Sequence, residues 1–239
     1  MITKKMLATQ FAVLVVACGS VRAGVIFSDD FNTGSTPDPV KWTAVQDANC
    51  SVYLSGGSLY ASFRGAAAPR YAYVYSSAID LPAKWDELTL TGEWAFPTQG
   101  YGECFVILAD PADPAVRVQA AYVNWVGPSA QKAFRTYYPG PGHDEYLNRP
   151  SLPTVLTPFE MTVTPTGWSF TTEGGAISKS FTTSHMAGLS RIQIRIGGWE
   201  YSNVLNLVEF DNIQFVPEPA TLGLLAIGGL ALVRRRHAV

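Results

Sequence analysis

Apolar residues recur at every second position through the middle of this chain, and there they never settle into the period of a helix. In the stretch 88–96, Leu88, Leu90, Trp94 and Phe96 fall on one face of an extended segment. In the stretch 191–196, Ile192, Ile194 and Ile196 share one face, and Arg191, Gln193 and Arg195 share the other. Phe159, Met161 and Val163 alternate with Glu160 and Thr162, and Trp168 and Phe170 follow a turn at Pro165, Thr166 and Gly167. The stretch 116–126 predicts a longer strand of mixed character. Half-buried strands broken by Gly, Pro, Asp and Ser predict an all-β chain, an antiparallel two-sheet sandwich of the jelly-roll kind. About a dozen strand candidates is the number such a sandwich needs.

The stretch 137–158 breaks the rhythm. It carries five prolines, two glycines and the run His143, Asp144 and Glu145. Without periodicity, it is expected to be a long surface loop.

Both ends read as address labels. Lys4 and Lys5 precede an apolar run over 6–17, and Val21, Arg22 and Ala23 offer a cleavage site. This pattern predicts a secretory signal peptide over 1–23. The residues before Cys18 also resemble a lipoprotein box, an alternative in which Cys18 is lipidated. At the other end, Pro217, Glu218 and Pro219 precede an apolar helix expected at 220–233, and Arg234, Arg235 and Arg236 follow it. Proline donates no ladder N–H, so the closing strand is expected to stop at Phe215. The mature β-sandwich domain is then 24–216 and the tail 217–239. A helix of 14 residues reaches ~21 Å, short of the ~30 Å hydrocarbon core. Tripeptide, helix and basic stop together resemble the PEP-CTERM sorting segment of bacterial exported proteins. That resemblance implies an exosortase-type membrane peptidase as partner, cutting near Pro217–Pro219. It also implies transient anchoring in the membrane through the helix. An ordinary tail anchor is the alternative.

Between the two ends, eleven basic residues face eighteen acidic ones. No basic patch is present, which argues against nucleic acid as a partner. Cys50 and Cys104 are the two cysteines outside the signal. In an oxidising compartment they either bond to each other or stay as buried thiols.

The domain opens with Asp29, Asp30 and Phe31, then Trp42, and closes with Asp211, Asn212, Ile213 and Phe215. These edges resemble those of exported concanavalin A-like lectin/glucanase domains. The resemblance implies that the first and last strands lie side by side. Asp29 or Asp30 would then meet Asp211, either as ligands of a structural calcium or as Asx-type turn residues. No other cofactor is expected. Phe210 and Ile213 cannot share a face of a regular strand, so a bulge is expected between them.

Glycosidases of this fold keep two or three carboxylates at alternate positions on one strand, as in Glu-x-Asp-x-x-Glu, because cleavage needs an acid and a nucleophile or base. No such triplet occurs here. Glu93 and Glu103 are expected on two arms of a hairpin turning at 97–100, as surface glutamates. His143, His185 and His237 form no triad or zinc spacing. Exposed aromatics are the remaining candidates for a ligand-binding site. Tyr71, Tyr73 and Tyr75 share a strand face, and Trp199 and Tyr201 sit in an aromatic, polar stretch. The expectation is an exported, non-catalytic protein of the cell envelope or exopolysaccharide matrix, with a structural or adhesive role. A carbohydrate-binding lectin-like module and a divergent glycoside hydrolase or lyase are the alternatives.

Overall fold

The computed structural model describes residues 25–64, 69–98, 100–125, 131–138, 144–201 and 205–219. The expected signal peptide, Cys18, His143, the helix at 220–233 and Arg234–Arg236 lie outside them. Within the described residues the chain is all β apart from one turn of 3₁₀-helix at Glu173–Gly175.

Among the described residues sixteen strands, numbered in chain order, form two sheets. The first sheet holds β1 (Phe27–Asp29), β3 (Cys50–Ser55), β4 (Ser58–Arg64), β7 (Trp85–Thr98), β12 (Thr157–Thr164), β13 (Gly167–Thr172), β14 (Ile177–Thr182) and β16 (Leu205–Pro219). Its order is β14-β13-β12-β7-β16-β4-β3, with β1 also on β16. The second sheet holds β2 (Trp42–Gln46), β5 (Arg70–Ser76), β6 (Ile79–Asp80), β8 (Gly102–Ala109), β9 (Arg117–Trp125), β10 (Gln131–Tyr137), β11 (Asp144–Arg149) and β15 (Arg191–Glu200). Its order is β11-β10-β9-β8-β15-β5-β2, with β6 also on β15. Pairings among the described strands are antiparallel.

The apolar faces read from the sequence meet between the sheets. Leu88, Leu90, Trp94 and Phe96 of β7, Met161 and Val163 of β12, and Ile192, Ile194 and Ile196 of β15 are all fully buried there. Trp94 is the hub. Its ring centroid lies 4.3 Å from that of Tyr122 and 5.4 Å from that of Phe170, and its indole N–H donates to Thr172 Oγ1 at 3.2 Å. First and last strands do lie side by side, with Phe27 opposite Phe215 and Asp29 opposite Ile213. The expected bulge is present: the β16–β7 register shifts between Asp211 and Gln214, and Asn212 takes φ 53°. The extra residue lets Phe210 and Ile213 both reach the core.

Three expectations change, and one of the two open readings of the cysteines is seen. β16 does not stop at Phe215: Pro217 pairs with Leu88, Glu218 with Glu87 and Pro219 with Trp85. Beyond Phe215, β1 no longer flanks β16, so a proline N that faces away from β7 breaks no ladder. The stretch 137–158 is not wholly loop, because β11 pairs along β10 as an edge strand. Both faces of β11 are largely exposed, so its sequence carries no apolar alternation. Cys50 and Cys104 are not joined. Cys50 lies on β3 at the edge of the first sheet, whereas the buried Cys104 thiol on β8 points across the core to Ala95 O at 3.8 Å. Burial holds that thiol well above its ordinary range. Finally, Glu93 and Glu103 are not on two arms of one hairpin. The chain leaves β7 in the first sheet and enters β8 in the second.

Candidate functional site

The second sheet has a second apolar cluster on its outer face, away from the core. Phe105, Ile107 and Ala109 of β8 pack there with Ala121 and Val123 of β9, and Tyr73 and Trp199 lean against them. All eight residues of β8 are buried, so this strand is covered on both sides. The covering comes from side chains that rise around it and leave a groove of about 440 Å³.

Register places each group. Trp199 on β15 stands between Tyr71 on β5 and Glu103 on β8. In the next row, Val45 of β2, Tyr73, Gly197, Phe105, Ala121 and Arg135 run across the sheet. Gly197 sits in the middle of that row with φ +151°, and a Cβ there would overlap Tyr73 and the Ala72 carbonyl. Its missing side chain lets Tyr73 reach Phe105, ring centroids 6.1 Å apart. One row further, Tyr75, Arg195, Ile107, Gln119 and Tyr137 align.

Glu103 is the buried carboxylate of this groove, 1% exposed. Arg135 Nη1 donates to its Oε1 at 2.5 Å and Gln119 Nε2 to its Oε2 at 3.4 Å. A buried carboxylate survives only when paired and hydrogen-bonded in this way. The same guanidinium donates to Asp144 of β11 through Nε at 2.7 Å and Nη2 at 3.0 Å. Burial alone would lower the Arg135 value; the Asp144 hydrogen bonds and the Glu103 charge outweigh it and raise the guanidinium above its ordinary range. Two carboxylates on one planar guanidinium lie within the ~9.5 Å upper separation of glycosidase carboxylate pairs. At the alternate positions after Glu103, however, β8 carries Phe105 and Ile107.

Of the residues singled out from sequence, Tyr71, Tyr73 and Trp199 line the groove. Tyr75 shares their face, on the same side of β5. Tyr201 stands outside the groove, 46% exposed, with its ring 5.8 Å from that of Tyr101. Glu93 lies on the outer face of the other sheet, where it accepts from Asn212 Nδ2 at 2.8 Å. Glu93 and Glu103 are thus on opposite outer faces of the sandwich. Sequence reasoning missed Arg117, Gln119, Arg135 and Arg195, and took Glu103 for a solvated surface group. One signal was available: the stretch 102–109 is apolar at nearly every position, which in an antiparallel sheet means burial on both faces.

The aspartates at the domain edges are engaged in hydrogen bonds. Asp29 accepts from Phe31 N at 2.9 Å and from Trp42 Nε1 at 2.8 Å, and Asp30 accepts from Asn32 N at 3.3 Å. The bonds from Phe31 and Asn32 have the Asx-type spacing. Asn212 turns its amide N–H₂ toward Asp211 at 3.2 Å, a donor where a calcium site needs oxygen acceptors. Among the described residues no group of three or more His, Cys, Asp or Glu gathers to hold a metal.

Asp211 has a consequence for stability. Burial first, and then the charges of Glu93, Asp30 and Glu209, hold its carboxyl above the ordinary carboxylate value, against the opposing Asn212 N–H. The folded state thus binds a proton here more readily than the unfolded chain. The contribution of this position is greatest at low pH and falls as pH rises from about 4 through the raised value. Asp211→Asn keeps an acceptor for Asn212 N. It is expected to leave the melting temperature at pH 4 unchanged and to match or raise it at pH 7. Thermal melts of both proteins from pH 4 to 7 check this; a lower value for the variant at pH 7 counts against it.

Comparison with known proteins separates the tail from the sandwich. Residues 215–236 match the PEP-CTERM protein-sorting motif. The chain is therefore an exported protein carrying a cell-envelope sorting signal, of the kind handled by exosortases. Among curated protein sequences, none matches. Solved structures do. One is described as an immunostimulatory antigen and pseudo beta-1,3-glucanase of Mycobacterium tuberculosis. It superposes with TM-score 0.57 at 12% identity, over 82% of this chain and 99% of that one. A second comes from work on endo-acting O-glycanases of the human gut microbiota. Its TM-score is 0.59 at 12% identity, over 82% of this chain and all 100% of that one. A third is a glycosyl hydrolase family 16 protein from Mycobacterium smegmatis, TM-score 0.58 at 13% identity, over 80% and 100% of the two chains. These likenesses establish the jelly-roll fold seen in concanavalin A-like and glycoside hydrolase family 16 domains. They also correct the expectation of a non-enzyme, which rested on a missing carboxylate triplet: solved structures of this fold include proteins described as a family 16 glycosyl hydrolase and as endo-acting O-glycanases, beside one described as a pseudo beta-1,3-glucanase.

Proposed function

We propose that this protein is a divergent glycoside hydrolase of the cell envelope, which takes a polysaccharide strand into the groove over β8. The observation that carries this reading is the buried, ion-paired Glu103 beside the Trp199 and Tyr73 rings, in a groove on a glycosidase-type sandwich. Aromatic faces suit the apolar faces of sugar rings. Glu103, which accepts from Arg135 and Gln119, faces the positive charge that develops on the sugar in an oxocarbenium-like transition state. Asp144 is the second carboxylate within reach, on the same guanidinium. The tail 217–239 serves as a temporary membrane anchor, cut near Pro217–Pro219 by an exosortase-type peptidase.

Incubating the purified exported protein with a panel of β-glucans, β-galactans and mucin glycans, and measuring new reducing ends, tests the reading. Release from at least one of them is expected. Retention of a glycan with no release from any of them would overturn the hydrolase reading.

A further inference from the structure

Three arginines enter the groove, and they divide into two kinds. Arg135 is neutralised by Glu103 and Asp144. Arg117 and Arg195 form no ion pair among the described residues, although both line the groove. Arg195 Nε donates to the neutral Gln193 Oε1 at 3.0 Å. Arg117 Nη1 donates to the Pro114 carbonyl at 3.3 Å, and its Nε is buried with no acceptor. Its guanidinium also lies 5.4 Å from the Tyr137 ring centroid.

These two cations flank β8 on opposite sides. Arg195 on β15 is opposite Ile107, and Arg117 on β9 is opposite Ala109. Between them the floor is Ile107 and Ala109, neither of which brings a charge. Burial, and the nearby Arg117 charge, pull the Arg195 guanidinium below its ordinary value, yet an arginine does not deprotonate in a protein. Two like charges therefore share a partly desolvated space, and among the described residues neither has a carboxylate within ion-pair distance. Such an arrangement is unfavourable alone and is relieved by an anion with oxygens on both sides, since guanidinium forks match carboxylate and sulfate geometry.

We infer that the groove is built for an acidic polysaccharide, whose uronate or sulfate groups sit between Arg117 and Arg195 while its sugar rings lie along Trp199 and Tyr73. The inference rests on the glycan-groove reading above and adds the substrate class to it. Of the carboxylates that line the groove, Glu103 pairs with Arg135 and Asp47 accepts from Tyr71 N at 2.9 Å, so positive charge gathers at the Arg117–Arg195 end. An acidic chain thus has one orientation in which its anions avoid Glu103.

Binding of matched pairs to the full exported chain tests this. The pairs are polygalacturonate with its methyl ester and dextran sulfate with dextran, measured by affinity electrophoresis or calorimetry. At least one acidic member is expected to bind about tenfold or more tightly than its neutral counterpart, and to weaken as salt rises. The double variant Arg117→Gln/Arg195→Gln is expected to lose that preference, and Arg195→Lys to keep most of it. Equal binding of acidic and neutral members, or a preference unchanged in the double variant, overturns the inference and leaves the glycan groove standing. No binding or cleavage of any glycan, neutral panel included, removes both.

Discussion

Glu103→Gln is expected to lower polysaccharide turnover by about 10²–10⁴-fold, with the fold retained. The amide keeps the size of the carboxylate and still offers an oxygen to Arg135 Nη1, which the carboxylate now accepts from at 2.5 Å. What it loses is the negative charge that faces the reacting sugar. Exchanging a charge-assisted hydrogen bond for a neutral one costs about 1–2 kcal/mol of stability. Arg135 itself remains paired, because Asp144 holds it from the other side. A melt and a reducing-end assay on the same preparation separate the two effects. If the variant keeps turnover with an intact fold, Glu103 is not the reacting carboxylate. Glu103→Ala is the less informative change, since it opens a hole beside a charged partner and confuses folding with chemistry.

Trp94→Ala is expected to cost about 3–5 kcal/mol, a fall in melting temperature of about 6–20 °C. Trp94 is fully buried on β7. Its ring meets those of Tyr122 and Phe134 from the second sheet, and of Phe159 and Phe170 from its own. Truncation therefore opens a cavity shared by both layers. It also leaves Thr172 Oγ1 without the indole donor. Repacking cannot close such a cavity cheaply, because the neighbouring rings are held by backbone ladders on both sides. Trp94→Phe keeps most of the volume and isolates the loss of the hydrogen bond, expected at about 1–2 kcal/mol. Equal melting temperatures for the alanine variant and the parent would mean that this tryptophan does not join the two sheets.

The sandwich was legible because its inner faces are simple. Each of β7, β12 and β15 carries apolar residues at alternate positions, and period two has one physical meaning in a half-buried strand. The bulge at Asp211–Asn212 was legible for the same reason, since two buried residues three apart require a register shift. The groove was not. Glu103 looks like any surface glutamate, because its partners Arg135 and Gln119 come from other strands. Which strand follows which in a sheet cannot be read from spacing within one strand. The crossing of the chain from β7 to β8 was hidden too: a turn signal at 97–100 does not say whether the next strand joins the same sheet or the facing one. The edge strand β11 was missed because an exposed strand has no reason to alternate.

The run of β16 through Pro219 makes the sorting segment part of the sandwich's own seam. Cleavage ahead of Pro217 would remove the partners of Leu88, Glu87 and Trp85 and turn that side of β7 into an open template for strand addition. Cleavage beyond Pro219 would leave the seam shut. If the tail is cut, the position of the cut would decide whether the released molecule is inert toward its own copies or carries an adhesive edge.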